Sequence, residues 1–360
     1  MKILTIIGTR PEIIRLSRVI PKLDKACDHI LVHTGQNYSA NLKDVFFEEL
    51  GIRSPDVYLN SIGKSTMETV GNILTQTEIL IKEHKPDRIL ILGDTNSGLA
   101  AYTAKRMGVP VFHMEAGNRC FDDEVPEEVN RPLIDKCSAV LLPYTEHSRK
   151  HLLNEGYSAK RITVTGNPIT EVLTHYLPKA EKSDVLERLN LEKGGYFLST
   201  LHREENIEHK ERLESFISAF EEISTKHKKP ILLSVHPRTK KKLEQFQISP
   251  KTDMVKFVDA LGFFDFIQLQ KNAACVLSDS GTVPEECSIL GVPNVLLRTS
   301  TERPELFEAG SMIISGRKKN DIVNATNTAL NQGNSWQIPL DYKDCNVSDK
   351  VTKIITSQIL

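Results

Sequence analysis

A chain of 360 residues exceeds the usual size of a single hydrophobic core, which favours two domains. Lys and Arg total 46 against 47 for Asp and Glu, a formal net charge of −1, so the electrostatic case for a nucleic-acid-binding or membrane-surface protein is removed. Cys27, Cys120, Cys137, Cys275, Cys287 and Cys345 form no CxxC pair and the eleven histidines no HExxH motif, so neither a disulfide framework nor a metal site is expected.

The first apolar run, residues 3–7, is too short for a signal peptide or a membrane span and reads as a buried strand of a cytoplasmic protein. Gly8-Thr9-Arg10-Pro11 follows it where a nicotinamide-binding fold would carry GxGxxG, so no nicotinamide cofactor, and no other cofactor, is expected. Pro11 suits a first helical turn, and Ile13, Leu16, Ile20 and Leu23 continue at three- and four-residue spacing until Pro21 should kink or end the helix. Further strands are predicted over residues 29–33, 88–92, 111–114, 139–142 and 162–165, with helical segments between them, the pattern of βαβ units around a parallel sheet. After Gly166-Asn167-Pro168 a second series follows, at 196–201, 231–235, 255–258, 274–278, 294–297 and 312–314. The expected fold is α/β with two Rossmann-like domains, residues 1–168 and 169–347, and a last helix over about 348–360 that packs back on the first. A short echo links Gly8-Thr9-Arg10-Pro11-Glu12 to Thr301-Glu302-Arg303-Pro304-Glu305, each just after a strand.

Open parallel sheets bind ligands beyond the carboxyl ends of their strands, so polar residues directly after apolar runs are the first candidates. Gly93-Asp94-Thr95, Glu115-Ala116-Gly117-Asn118-Arg119, His202-Arg203-Glu204-Glu205-Asn206, His236-Pro237-Arg238 and Asp279-Ser280-Gly281-Thr282 all qualify, although Asp94 and Thr95 taken singly read as helix caps. In Asp279-Ser280-Gly281-Thr282-Val283-Pro284-Glu285-Glu286 the small residues let backbone N–H groups at a helix start approach a phosphate, which pairs Ser280 and Gly281 with phosphate and Glu286 with a ribose diol. Arg10 and Arg15 supply positive charge near an anion. Pro126-Glu127-Glu128-Val129-Asn130-Arg131 opens another helix, with Arg131 four residues after Glu127 and three after Glu128, the spacing of an ion pair on one face. His113 and His236 read as packed or hydrogen-bonded; His202, which ends a strand and precedes Arg203, reads as functional.

In this order, over nearly the whole chain, these motifs, together with Thr34-Gly35-Gln36 and Thr301-Glu302-Arg303-Pro304-Glu305, resemble the non-hydrolysing UDP-N-acetylglucosamine 2-epimerases. The resemblance implies two domains of the GT-B type with the substrate in the cleft between them, a homodimer, and a C-terminal helix returning to the first domain. It implies catalytic roles for Asp94, Glu115, Glu127, Arg131 and His202. Substrate contacts are implied from Arg10, Arg15, His236, Ser280, Gly281, Glu286 and Arg303, with uracil packing near Phe266. C2 of an N-acetylhexosamine is not adjacent to a carbonyl, so inversion needs transient oxidation or elimination, and without a nicotinamide elimination of UDP is left. Proton removal from one face of C2 and return to the other require two acid/base positions; Asp94, Glu115 and Glu127 are the candidates.

The chain departs from the familiar bacterial pattern at three places: Arg15 stands where lysine is common, Asn37 where histidine is common, and Asn72 where allosterically activated members carry arginine. Activation by UDP-N-acetylglucosamine is therefore not expected. Glu115-Ala116-Gly117-Asn118-Arg119-Cys120-Phe121-Asp122 also resembles the branch that epimerises UDP-2-acetamido-2,6-dideoxy-L-talose in UDP-L-FucNAc synthesis, and a GT-B glycosyltransferase shares the fold.

Overall fold

The apolar run Arg88–Leu92 is buried along its whole length, as a strand covered on both faces of a parallel sheet must be. The computed structural model describes residues 1–35 and 40–357, and places this run as β4 in a six-stranded sheet. Its companions are β1 (Lys2–Ile7), β2 (Asp28–His33), β3 (Val57–Tyr58), β5 (Val111–Met114) and β6 (Val140–Leu142), in the order β3-β2-β1-β4-β5-β6. All pairs are parallel; Ile3 faces both His29 and Arg88. A second sheet comprises β7 (Phe197–Leu201), β8 (Ile231–Val235), β9 (Val255–Asp259), β10 (Cys275–Ser278), β11 (Asn294–Leu296) and β12 (Ile313–Ile314), ordered β12-β11-β10-β7-β8-β9 and likewise parallel. Both are doubly wound α/β sheets, and strand order reverses between β1 and β4 in the first and between β7 and β10 in the second.

The chain divides into two compact units, Met1–Thr174 with Leu340–Leu360, and His175–Pro339. In the first, Leu4 and Ile6 of β1 and Ile89 and Ile91 of β4 pack on Ile73 and Leu80 of the helix Thr66–His84 and on Ala100, Ala101 and Ala104 of the helix Ala100–Arg106. In the second, alternate residues face opposite ways, as strand geometry demands: Phe197 and Leu201 join Phe216 and Phe220 of the helix Lys210–His227, while Leu198 joins Leu269 and Cys287 on the other side. The last helix, Val347–Thr356, buries Val347, Val351 and Ile355 at four-residue spacing and lies on the helix Ile20–Ala26, where Lys22 Nζ reaches Asp349 Oδ1 at 2.7 Å. The Arg88 guanidinium donates to Ile355 O, and the Ser348 N–H to Glu171 Oε2 at 2.8 Å.

The first helical stretch is interrupted near Pro21, as expected, giving two helices, Arg10–Leu16 and Ile20–Ala26, with Pro21 in the first turn of the second, where its missing N–H leaves no bond unmade. Two local features differ from the expectation. Residues 162–165 run along β6, with Thr163 and Thr165 donating to Leu141 O and Pro143 O, yet only one bridge, Leu141 to Ile162, forms before the chain turns into the helix Pro168–Ala180. The two-residue β3 was not expected.

Candidate active site

Two loops meet above the reversal point of the first sheet. Gly8 continues β1, and a Cβ there would lie 2.1 Å from Ser97 Oγ and 2.2 Å from Thr34 Oγ1, so the chain can pass only as glycine. Glu12, in the first turn of Arg10–Leu16, bends back: its carboxylate accepts the N–H of Gly8, the N–H of Thr9 at 3.2 Å and the hydroxyl of Thr95 at 2.6 Å. One buried carboxylate thus joins the loop after β1 to the loop after β4. Burial pushes the Glu12 carboxyl up to about 7, the hydrogen bonds offsetting only part of the desolvation.

The folded value lies above the ordinary 4.5, so this group contributes stability that is complete below pH 4.5 and is lost as pH rises through about 7. The loss amounts to about 3 kcal/mol. Glu12→Gln should flatten the dependence of stability on pH between these limits, read by urea unfolding at a series of pH values. An equal slope in variant and parent would contradict the assignment.

Asp94 follows Gly93 at the end of β4. Its carboxylate accepts Arg131 Nε at 2.8 Å, and its main-chain oxygen accepts Asn130 Nδ2 at 2.9 Å. Arg131, almost wholly buried, also donates through Nη1 to Glu128 and lies 3.3 Å from Cys120 Sγ. Glu128 in turn accepts the N–H groups of Cys120 and Phe121, each at 3.1 Å. Burial alone would raise its carboxyl, but the Arg131 charge and these donors hold it below the ordinary carboxylate range. Glu128 therefore closes the 120–121 loop onto the helix Pro126–Cys137, while Glu127 stands half-buried in that helix's first turn.

Glu115 ends β5 with φ +70°, a left-handed conformation that costs a non-glycine residue about 1–3 kcal/mol and is typical of functional corners. Its carboxylate accepts Arg15 Nη1 and Asn118 Nδ2, each at 3.0 Å. A Cβ on Gly93 would sit 3.3 Å from Glu115 Oε2, so the Asp94 and Glu115 loops touch. Arg15 lies under the Tyr144 ring, 5.4 Å from its centre, and Arg10 lies over Phe46 at 5.7 Å, where burial pulls its guanidinium below its usual value. Asp94, Glu115, Arg131 and Arg15 are thus gathered at one end of the first sheet. Asn72 Nδ2 donates to Ser61 O at 3.3 Å, and Gln36 and Asn37 lie outside the described residues.

The second unit repeats the arrangement with the roles of the strands exchanged. Asp279, fully buried after β10, accepts the N–H of His202 at 3.1 Å, the N–H of Arg203 at 3.0 Å and Asn206 Nδ2 at 3.1 Å, all from the segment after β7. His202 Nδ1 lies 3.3 Å from Asp279 Oδ1, so the carboxylate orients a ring that stays partly exposed. Ser280 Oγ accepts the Thr282 N–H at 3.3 Å ahead of the helix Val283–Leu290. A Cβ on Gly281 would fall 2.4 Å from Glu302 Oε1, and Glu302 is fixed by Arg298 Nη1 at 2.8 Å and Arg203 Nη2 at 3.5 Å.

Arg303 is buried, with Nε on Glu285 and Nη1 3.3 Å from Glu302 O. Glu286 is buried in the first turn of Val283–Leu290. Phe266, in the helix Phe263–Lys271, packs half-buried beside Leu198 and Leu269. His236 caps the helix Pro237–Gln245, its Nδ1 accepting the Arg238 N–H at 3.3 Å. Sequence reasoning missed Glu12, Asn118, Asn130, Asp135 and the orienting role of Asp279. Of these, Glu12 carried a readable signal, because Thr9-Arg10-Pro11-Glu12 has the spacing of a capping box.

Comparison with known proteins places these features in a family. The family model described as UDP-N-acetylglucosamine 2-epimerase matches residues 21–356. The UDP-N-acetylglucosamine 2-epimerase of Methanocaldococcus jannaschii is 40% identical over 365 residues, covering 99% of each chain. A crystal structure of the enzyme from that organism, in complex with UDP-GlcNAc and UDP, superposes with a TM-score of 0.94 at 39% identity and 99% coverage of both chains. The UDP-2,3-diacetamido-2,3-dideoxy-D-glucuronate 2-epimerase of Pseudomonas aeruginosa is 36% identical over 335 residues, 92% of each chain. Among the described residues no helix is long and apolar enough to cross a membrane. Two doubly wound sheets with carboxylates at their reversal points, in a chain matched over nearly all of its length by these relatives, identify it as a member of the UDP-N-acetylglucosamine 2-epimerase family, a family of isomerases.

Proposed function

We propose that the protein interconverts UDP-N-acetylglucosamine and UDP-N-acetylmannosamine in the cytoplasm, as a source of surface-polysaccharide precursors. The observation that carries this reading is the meeting of Asp94 and Glu115 at the Gly93 corner, each carboxylate held by its own buried arginine. In the reaction one carboxylate takes the C2 proton as the C1–O bond breaks and UDP leaves with the bonding pair, giving 2-acetamidoglucal. Protonation of C2 from the opposite face and return of UDP to C1 complete the inversion. Glu127 and His202 complete the proton-handling set. Arg10, Ser280 and Gly281 hold the diphosphate whose developing charge must be met; Arg15, His236 and Arg303 add substrate contacts, Glu286 holds the ribose, and Phe266 packs near the uracil.

The active species is a homodimer. Met67, Ile79, Tyr102, Val129 and Leu133 stand exposed on three successive helices, Thr66–His84, Ala100–Arg106 and Pro126–Cys137, and offer an apolar face to a second copy. Light scattering should return twice the mass of one chain. A second reading, C2 epimerisation of UDP-2-acetamido-2,6-dideoxy-L-talose, is favoured by the segment 115–122, and a relative named for a different UDP-linked sugar shows that the family is not confined to one substrate.

Incubation with UDP-N-acetylglucosamine in deuterated water tests the reaction. Proton NMR should show the C2 proton signal fading while a UDP-linked manno sugar accumulates. Inversion without deuterium entering C2, or release of free N-acetylmannosamine, would overturn it; turnover of only the L-talose derivative would select the second reading.

A further inference from the structure

Beside the Asp94 and Glu115 loops three polar side chains are buried together, His113, Arg119 and Asp135. His113 of β5 has an acceptor at each ring nitrogen: Nδ1 is 2.8 Å from Asp135 Oδ1, and Nε2 is 2.9 Å from the main-chain oxygen of Gly93. A neutral imidazole offers one N–H and one lone pair. A carbonyl oxygen can only accept, so Nε2 carries a proton. Asp135 Oδ2 accepts Arg119 Nη2 at 2.8 Å and the Gly117 N–H at 3.2 Å, as an ionised carboxylate does. An ionised Asp135 also only accepts, so Nδ1 must carry a proton as well.

Arg119 donates from Nε and Nη2 to Glu155, at 2.8 and 2.7 Å. Tyr157, nearby, has its hydroxyl pushed up to about 12 by burial and then by the Asp135 and Glu155 charges.

We propose that His113 is an imidazolium and that the His113–Asp135 pair is a positioning device that sets the spacing of the Asp94 and Glu115 loops. The peptide groups on both sides of Asp94 are held, Gly93 O by His113 and Asp94 O by Asn130. The same Asp135 carboxylate holds the N–H of Gly117, two residues beyond Glu115. The positioning role rests on the proposed reaction; the charge of His113 does not.

The test begins with the unmodified protein labelled with 15N-histidine. At pH 7 one imidazole, identified by its loss in His113→Gln, should show protons on both ring nitrogens; an unprotonated nitrogen in that ring overturns the proposal, whatever sugar the enzyme uses. Asp135→Asn keeps the side chain's size and removes its charge. Turnover should fall on the order of 10²-fold, the effect of a small misplacement of reacting groups, with KM and UDP affinity little changed and the His113 ring reduced to one N–H. Undiminished kcat in that variant, or UDP affinity falling in step with kcat, would also overturn it. The ring readout separates a failure of this pairing from a failure of the proposed reaction.

Discussion

Asp94→Asn, Glu115→Gln and Glu127→Gln should each retain UDP binding by calorimetry and lose turnover by roughly 10²–10⁴-fold. The amides keep the size of the carboxylates and an oxygen that can still accept from Arg131 at position 94 or from Arg15 and Asn118 at position 115, so the surroundings need not rearrange. What disappears is the ability to take and return a proton. At Glu115 the glutamine inherits the same left-handed backbone, which keeps strain constant and isolates the charge. Abstraction and return act on opposite faces of C2, so the variants should differ: one still exchanges C2 with solvent deuterium without inversion, or releases UDP and the glucal, while another does neither. Three variants that all turn over at close to the parent rate would reduce these carboxylates to structural caps and end the proposed mechanism.

Arg131→Gln should destabilise the fold by about 3–5 kcal/mol, because removing one partner of a buried ion pair leaves the other uncompensated. Here the stranded groups are Glu128, which also anchors the 120–121 loop, and the Asp94 carboxylate. The sign with pH follows from Glu128: its folded value is depressed, so its contribution is present above the ordinary 4.5 and fades as pH falls below it. At pH 7 the variant should unfold at markedly lower urea than the parent, and Arg131→Gln with Glu128→Gln should recover part of the loss, since the double change removes the stranded charge with its partner. Equal midpoints for the single variant and the parent would show that the pair contributes nothing.

Most strands were legible because they are short apolar runs followed by glycine or a polar residue, and those polar ends are where Asp94, Glu115, His202 and Asp279 stand. Val57–Tyr58 was not legible, since two residues generate no period, whereas the break at residues 17–19 was announced by Pro21, which has no N–H to give the carbonyl four residues earlier. Arg303 stands in the sequence as a substrate contact that the family resemblance implies, and no local pattern shows its pairing with Glu285, 18 residues earlier in the buried interior. Glu128 and Glu127 are neighbours of one type at a helix start, and only their orientation shows that Glu128 locks a loop. The His113–Asp135–Arg119 set joins a strand, a helix and a loop through side chains spaced 22 and 16 residues apart, a relation that no local pattern encodes.

Asp279 reaches across the strand-order reversal of its unit to grip main-chain N–H groups, and Glu12 spans the reversal of the other by holding N–H groups of its own loop and the Thr95 hydroxyl beyond it. This sets how sequences built on the scaffold can drift. Apolar residues within β1 or β10 can trade for others of similar volume, because neighbouring side chains repack around small differences. A carboxylate that must meet several fixed donors at once has no such latitude: Glu12→Asp or Asp279→Glu keeps the charge but alters the reach by one methylene. Variation should therefore run freely through the hydrophobic interior and stop at these two side-chain lengths, an inversion of the usual expectation that the core is the most restricted part of a fold.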